Sequence, residues 1–441
     1  MPVIKKNKRY VKFFIYAFFI EIIYISFHFI GPFRKFLGDN GIVLQNFNLF
    51  LLVVTLLLIN LLLYILGYRE IIKNNIKLRT IILCFLLFNL TLLFVWPIGS
   101  TDIFSYIYQG RVLSEHQLNP YITAYNTLNN DSFYQIINNK WSTSPTVYGP
   151  LFVMISSSLT FVGGNNFIFT LFLFKLFFVI INILCVYLIY KIFKNKKAIY
   201  LYAFNPLILY EFAINGHNDV LMILFLLLSL YFVFKKENNI RNYSLSLFFL
   251  ILSALIKFIS IIFVPIFLLV LLFKIKSIRK KIYFILSSIS VILFTIFILY
   301  FPFYKNTQTL SSLIKQTNLY SSVFLSPLIF IGSTLLNDLH ITNYRSLGII
   351  FSRILFVLFY LILIIKIFIK NNKTKTKDLI KYFCISLFVF YISFFTWFMP
   401  WYLITLIMLI ILWQTTSKNY RYINIIHYIT LYGILCYIIL R

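Results

Sequence analysis

Residues 92–126 read LLFVWPIGSTDIFSYIYQGRVLSEHQLNPYITAYN, and residues 144–152 read SPTVYGPLF. The first few close a long apolar run; the residues after them, up to Gly149, are too polar to lie in hydrocarbon. The loop 98–149 holds three of the chain's eleven acidic residues, Asp102, Glu115 and Asp131, and only two basic ones, Arg111 and Lys140. A carboxylate one turn beyond an apolar run, followed by Tyr106, Tyr108, Gln109 and Arg111, is an expensive arrangement at a membrane surface. Short connections would be the cheaper design. The loop therefore reads as the active site, and the remaining helices as its scaffold.

Outside this loop the chain is overwhelmingly apolar. Of 441 residues, 61% are apolar and 12% charged, in runs of about 18 or more separated by basic clusters, the pattern of a polytopic helical membrane protein. A formal charge of +29 would suggest nucleic acid in a soluble chain. Here the Lys and Arg sit in short clusters between spans and report orientation instead, so no nucleic-acid partner is expected. Cys84, Cys185, Cys384 and Cys436 all fall inside apolar segments without metal-ligand spacing and read as small buried hydrophobes. The basic start (Lys5, Lys6, Lys8, Arg9, Lys12) runs into a long apolar stretch with no small-residue cleavage site, which reads as a retained first span.

Basic clusters at 5–12, 69–79, 191–197, 235–241, 274–281, 366–381 and 418–421 mark the inner side, and only Glu70, Glu237 and Asp378 interrupt them. That asymmetry places the 98–149 loop outside. Spans are expected at 11–30, 48–67 and 80–97, then a re-entrant or interfacial helix at 150–162 and a full span at 167–190. Residues 198–214 run outward, Asn215 to Asp219 turn at the outer face, and 220–234 return. About thirty apolar residues between the clusters at 241 and 274 fold as a hairpin of two short helices with Lys257 at its outward tip. A span at 282–300 leads to a second external loop, 301–346, with Lys305, Lys315, Asp338, His340 and Arg345. Spans at 347–368, 382–398, 403–413 and 422–440 complete the chain. The intramembrane charges on this reading are few, Glu21 and Lys175.

Four polar features then converge on the outer face: Asp102 with its loop, the Asn215-Gly216-His217-Asn218-Asp219 turn, Lys257, and Pro400-Trp401-Tyr402. Each has a bland alternative. Asp102 could cap a helix beginning at Ile103, and the turn could be ordinary loop chemistry. Lys257 could snorkel, and the Pro-Trp-Tyr turn could be an interfacial anchor. Independent anchors need not all fall on one membrane face, however. Jointly, a carboxylate, a His-Asn-Asp turn and isolated cations suit transfer to a hydroxyl from a phosphate leaving group. No Gly-rich phosphate loop is present, so a donor delivered by lipid fits better than a nucleotide.

The motifs T-D-I-F-S-Y-I-Y-Q-G-R, N-P-Y, Y-G-P-L-F, N-P-L followed by N-G-H-N-D, S-A-L-I-K and P-W-Y occur in this order between about residues 95 and 403. The series resembles the polyprenol-phosphate-mannose-dependent α-mannosyltransferases of the GT-C superfamily. The resemblance implies that Asp102 is the catalytic base and that His217, Asn218 and Asp219 line the sugar site. It places Arg111 and Lys257 near the donor phosphate, and implies a β-linked polyprenyl-phosphate sugar transferred with inversion. Tyr106, Gln109, Tyr148, Trp401 and Tyr402 complete the candidate substrate-binding set.

The expectation is thus an all-α polytopic membrane protein of about eleven to thirteen transmembrane or re-entrant helices, one GT-C-like domain over 1–441 with a catalytic external loop at 98–149. Its function would be that of an inverting glycosyltransferase moving a sugar, mannose by the resemblance, from a polyprenyl-phosphate donor to a glycan or glycolipid hydroxyl. The site would face outward from a prokaryotic plasma membrane, with membrane lipids as neighbours, no metal and no cofactor. The rival is a transporter or flippase of lipid-linked sugars, which should show repeated halves and midplane charges.

Overall fold

Long Leu-, Ile- and Phe-rich runs have nowhere to satisfy backbone groups in hydrocarbon except within their own helix. The computed structural model describes residues 2–30, 47–137, 142–235, 239–305, 325–370, 375–417 and 423–439, and among these there is no extended strand. Lys140, Lys315 and the basic cluster at 418–421 lie outside the described residues. The first helices are α1 (Pro2–Ile30), α2 (Phe47–Asn74), α3 (Leu78–Leu93), α4 (Asp102–Ser114), the single turn α5 (Tyr134–Ile137) and α6 (Pro150–Gly163). Then come α7 (Phe167–Phe193), α8 (Lys196–Ala203), α9 (Pro206–Leu209) running into a π-helical turn (Tyr210–Ile214), α10 (Asp219–Lys235), α11 (Ile240–Ala254) and α12 (Phe263–Lys274). The last are α13 (Ile278–Tyr300), α14 (Pro327–Asp338), α15 (Tyr344–Lys370), α16 (Asp378–Ser393), α17 (Leu403–Ser417) and α18 (Ile423–Ile439).

By length and composition six described helices can cross a membrane, among them α1, α2, α7, α13 and α15. Shorter apolar helices, α3, α6, α11, α12 and α18, fill the remaining places in the bundle. The chain is an all-α polytopic membrane protein. α13 and α15 leave most of their surface bare, as lipid-facing helices do, whereas α17 is largely enclosed. Asparagine starts many of these helices: the side chains of Asn166, Asn195, Asn205 and Asn239 each accept from backbone N–H groups of the first turn they precede.

Two expectations change, and a third element gains detail. The run 198–214 is not one helix, because it breaks at Phe204-Asn205. Asn205 caps the N–H groups of Leu207 and Ile208, and Pro206 occupies the first helical position, where a missing N–H costs nothing. Beyond the π turn, α10 departs at 115° to the helix before it, so the junction is a reversal of the chain. The loop 301–346 holds α14, whose twelve residues are too few to span, and α15 already begins at Tyr344. The loop 98–149 is largely ordered by α4, which lies against α6; Gly110 of α4 comes so near the Ser156 carbonyl of α6 that a Cβ would be 2.6 Å from it.

The expected short hairpin at 240–274 is present. α11 ends at Ala254, a 3-10 turn covers Phe258–Ile262, and Lys257 sits at the bend between them. Two glycines are required here. Gly149 donates to the Ile256 carbonyl at 3.2 Å, and a Cβ on it would overlap the Leu255 carbonyl, so only glycine lets the end of the 98–149 loop meet the Lys257 bend. Gly216 has φ +70°, and its missing side chain makes room for Ile103 of α4.

Candidate active site

Asp102 begins α4, and its N–H takes the Ser100 hydroxyl at 3.2 Å. Its carboxylate meets the chain reversal at 215–219, where His217 Nδ1 lies 3.5 Å from Asp102 Oδ2. The other ring nitrogen, Nε2, lies 3.2 Å from Oε2 of Glu211 in the π turn. Both are ion-pair distances, and neither contact is aligned well enough to count as a hydrogen bond. Trp401 stacks on the imidazole with centroids 3.9 Å apart and planes 20° from parallel. Asp219, two residues on, pairs with Lys257, whose Nζ donates to Oδ1 at 2.9 Å and Oδ2 at 2.8 Å. The same ammonium stands over the Tyr402 ring, 4.2 Å from its centroid.

Since Trp401 and Tyr402 are consecutive and His217 and Asp219 nearly so, the two ion pairs are neighbours. His217, Asn218 and Asp219 are buried, whereas the Asp102 and Lys257 side chains are 21% and 20% exposed. The polar cluster thus opens through one carboxylate and one ammonium. Tyr106 lines it from α4: its hydroxyl donates to Asn218 Oδ1 at 3.3 Å and accepts from the Asn218 N–H at 3.5 Å. Tyr148 and Phe152 pack edge-on to the Tyr106 ring. Asn218 Nδ2 is buried without a partner, a donor free for a ligand hydroxyl.

Two candidates serve the loop instead. Gln109 Oε1 accepts from the Thr146 hydroxyl at 2.7 Å, which holds the stretch leading to Tyr148. Arg111, expected near a donor phosphate, is buried and spent on its surroundings. Its Nε donates to both Asp131 oxygens at 2.9 Å, Nη1 to the Gly164 carbonyl at 2.8 Å, and Nη2 to Ser132 and Asn165 at 3.1 Å. The guanidinium also covers the Phe133 ring at 3.9 Å. Burial pushes the Asp131 carboxyl up, but the Tyr125 hydroxyl, the Phe133 N–H, His116 and Arg111 outweigh it and hold it below its ordinary range. The placement argues against the phosphate role. Arg111→Lys should therefore lower the melting temperature of the purified protein, because one ammonium cannot replace this fork. The apparent donor KM should stay unchanged; a raised KM at unchanged melting temperature would return Arg111 to the donor.

Glu211 is not among the residues the sequence singles out. It sits in an apolar stretch, and its one local signal is Asn215 four residues on, whose Nδ2 donates to Oε2 at 2.9 Å. Lys175 also differs from a free midplane charge. Its buried Nζ donates to the carbonyls of Leu92 (3.3 Å), Val95 and Ile214 (3.0 Å). It thereby joins the end of α3, which leads to Asp102, to the end of the π turn, which leads to His217. No group of three or more metal-ligating side chains with suitable placement occurs among the described residues.

Residues 32–273 match the family described as alpha-(1->6)-mannopyranosyltransferase, N-terminal domain. The chain belongs to that family. The mannopyranosyltransferase match takes in Asp102, Glu211, His217, Asp219 and Lys257 and leaves Trp401 and Tyr402 beyond its end. Among curated relatives, the alpha-(1->6)-mannopyranosyltransferase A of Mycobacterium tuberculosis is 26% identical over 137 residues, 30% of this chain and 26% of that protein. The protein of the same name from Corynebacterium glutamicum is 26% identical over 151 residues, 33% of this chain and 30% of that protein. The aligned part thus spans less than a third of either relative's length. No solved structure matches.

Proposed function

We propose that this chain is an inverting membrane mannosyltransferase that uses a polyprenyl-phosphate-linked sugar and works on the outer face of a prokaryotic plasma membrane. The observation that carries the reading is that the buried polar cluster ends in one partly exposed carboxylate, Asp102, beside His217, and one partly exposed ammonium, Lys257, on Asp219. The acceptor hydroxyl gives its proton to Asp102 as its oxygen bonds to the anomeric carbon. The bond from that carbon to the phosphate oxygen breaks on the opposite side, and the electron pair leaves with the polyprenyl phosphate. One displacement inverts the centre, and Lys257 offsets the charge gathering on the phosphate. The buried Asn218 Nδ2 and the faces of Tyr106, Tyr148 and Trp401 are suited to hold the sugar, and the acceptor would be a glycan or glycolipid.

A lipid-borne donor has support further along the chain from Lys257. An apolar groove of about 340 Å³ runs between α12 and α13, lined by Pro265, Leu268, Leu272, Phe284, Ile289 and Ile292 among others. α12 follows the Lys257 bend after the 3-10 turn, so a chain lying in the groove could bring its phosphate toward the ammonium. The transporter reading is less favoured, because the charged side chains gather around one reversal of the chain instead of appearing in matched halves.

Purified protein given radiolabelled polyprenyl-phosphate mannose and a mannoside acceptor should form an α-linked product; a β-linked product, or none, would refute the reading. Orientation has its own check. In a cysteine-free background, Asn130→Cys should react with an impermeant thiol reagent in intact cells and Lys375→Cys should not, since the basic clusters mark the inner side. The reverse labelling would move the site to the cytoplasm.

A further inference from the structure

Glu211 has no task in the reaction as drawn, yet it is wholly buried and heavily invested in. Oε1 accepts from the Tyr437 hydroxyl of α18, and Oε2 accepts from Asn215 Nδ2 at 2.9 Å. The backbone N–H of His217 donates to the Glu211 carbonyl at 3.0 Å, which fixes the ring's starting point relative to this side chain. The imidazole thus has a carboxylate oxygen before each nitrogen, Glu211 at Nε2 and Asp102 at Nδ1. A neutral imidazole has one N–H and one lone pair, so it would turn a lone pair toward one of the two anions. The imidazolium is attracted to both carboxylates at these ion-pair distances, and only it offsets a carboxylate that burial otherwise makes costly.

We propose that Glu211 is a positioning residue for the transfer reaction: it holds His217 as an imidazolium beside Asp102, so that the base is the exposed end of a carboxylate–imidazolium–carboxylate row. The proposal rests on Asp102 being the base. The imidazolium holds one Asp102 oxygen by charge attraction at 3.5 Å and leaves the other for the acceptor hydroxyl.

The surroundings agree. The charged groups facing the ring are Asp102 from α4 and Glu211 from the π turn, while Trp401 contributes a face that favours a cation. Asp219 and Lys257 nearby neutralise each other, and Lys175 Nζ is held on the Ile214 carbonyl behind the turn. Burial alone would push the ring's proton off; Asp102 and Glu211 outweigh it and raise His217 to about 9. Its charge is accordingly kept through neutral pH and lost only as pH rises past that value.

The test reads His217 directly. The chain has five histidines, so ¹⁵N-histidine labelling of the full-length protein in nanodiscs gives few signals, and His217→Gln assigns the one that matters. In the wild type this signal should stay doubly protonated at neutral pH. In Glu211→Gln its midpoint should fall by about one pH unit or more, and Glu211→Asp should recover part of the shift. In transfer assays the alkaline limb of the pH–rate profile should move down with it, and kcat at pH 7.5 should fall about tenfold with little change in donor KM. A wild-type His217 titrating near the ordinary imidazole value of about 6.5 would overturn the proposal even if Glu211→Gln does not fold. So would an unmoved midpoint in that variant. A wild type with the expected titration but no sugar transfer would instead count against the assigned function and leave the role of Glu211 toward His217 standing.

Discussion

Asp102→Asn is expected to lower turnover by about 100-fold or more while the protein still folds and still binds donor. Asparagine keeps the shape of the side chain at the start of α4, and its oxygen can still face His217. What disappears is the capacity to take the acceptor proton during bond formation. A second loss adds to it. The imidazole of His217 then faces a neutral amide on Nδ1 and only one anion, Glu211, on Nε2. Initial rates of mannose transfer by purified variant and wild type, with melting curves as the folding control, decide the matter. A variant that transfers at nearly the wild-type rate would remove Asp102 from the chemistry and reduce it to a helix-start residue.

Parts of this site are readable in the sequence for identifiable reasons. Lys257 can be placed at a bend because an apolar run too long for one span and bounded by basic clusters must turn back. The Asn215–Asp219 reversal is marked by polar residues between two apolar runs. Glu211 escapes because a lone acid hardly alters the hydropathy of the stretch around it, and its partner Tyr437 is 226 residues away. The ion pair of Arg111 escapes for a similar reason. A cation beside a catalytic loop invites a phosphate, and the carboxylate it bonds in the structure, Asp131, lies 20 residues on in the same loop, with no periodicity to connect the two. The break at Asn205-Pro206 is legible in kind, as a cap followed by proline, but is masked because apolar residues continue on both sides.

The Lys257–Asp219 pair supplies the other large effect, and here the structure changes what a single substitution means. Lys257→Met removes the cation and also strands the Asp219 carboxylate, which is 1% exposed. Leaving one partner of a buried pair uncompensated costs about 3–5 kcal/mol, enough to disturb the 217–219 turn by itself. Lost activity in that variant alone would therefore be ambiguous. Lys257→Met combined with Asp219→Asn takes away both charges together, and the amide is close in shape to the carboxylate, so the turn should be retained. If Lys257 exists only to neutralise Asp219, the double variant should recover wild-type turnover. If Lys257 meets a phosphate that gains charge as the sugar leaves, the double variant should melt near the wild-type temperature and still turn over about 10- to 1000-fold more slowly at saturating donor. Lys257→Arg keeps a charge for both partners and should fall between, because its broad planar head suits a site built for a point charge less well. Full recovery in the double variant would leave the donor phosphate without a cation from this cluster, and the lipid-phosphate donor itself would then be in question.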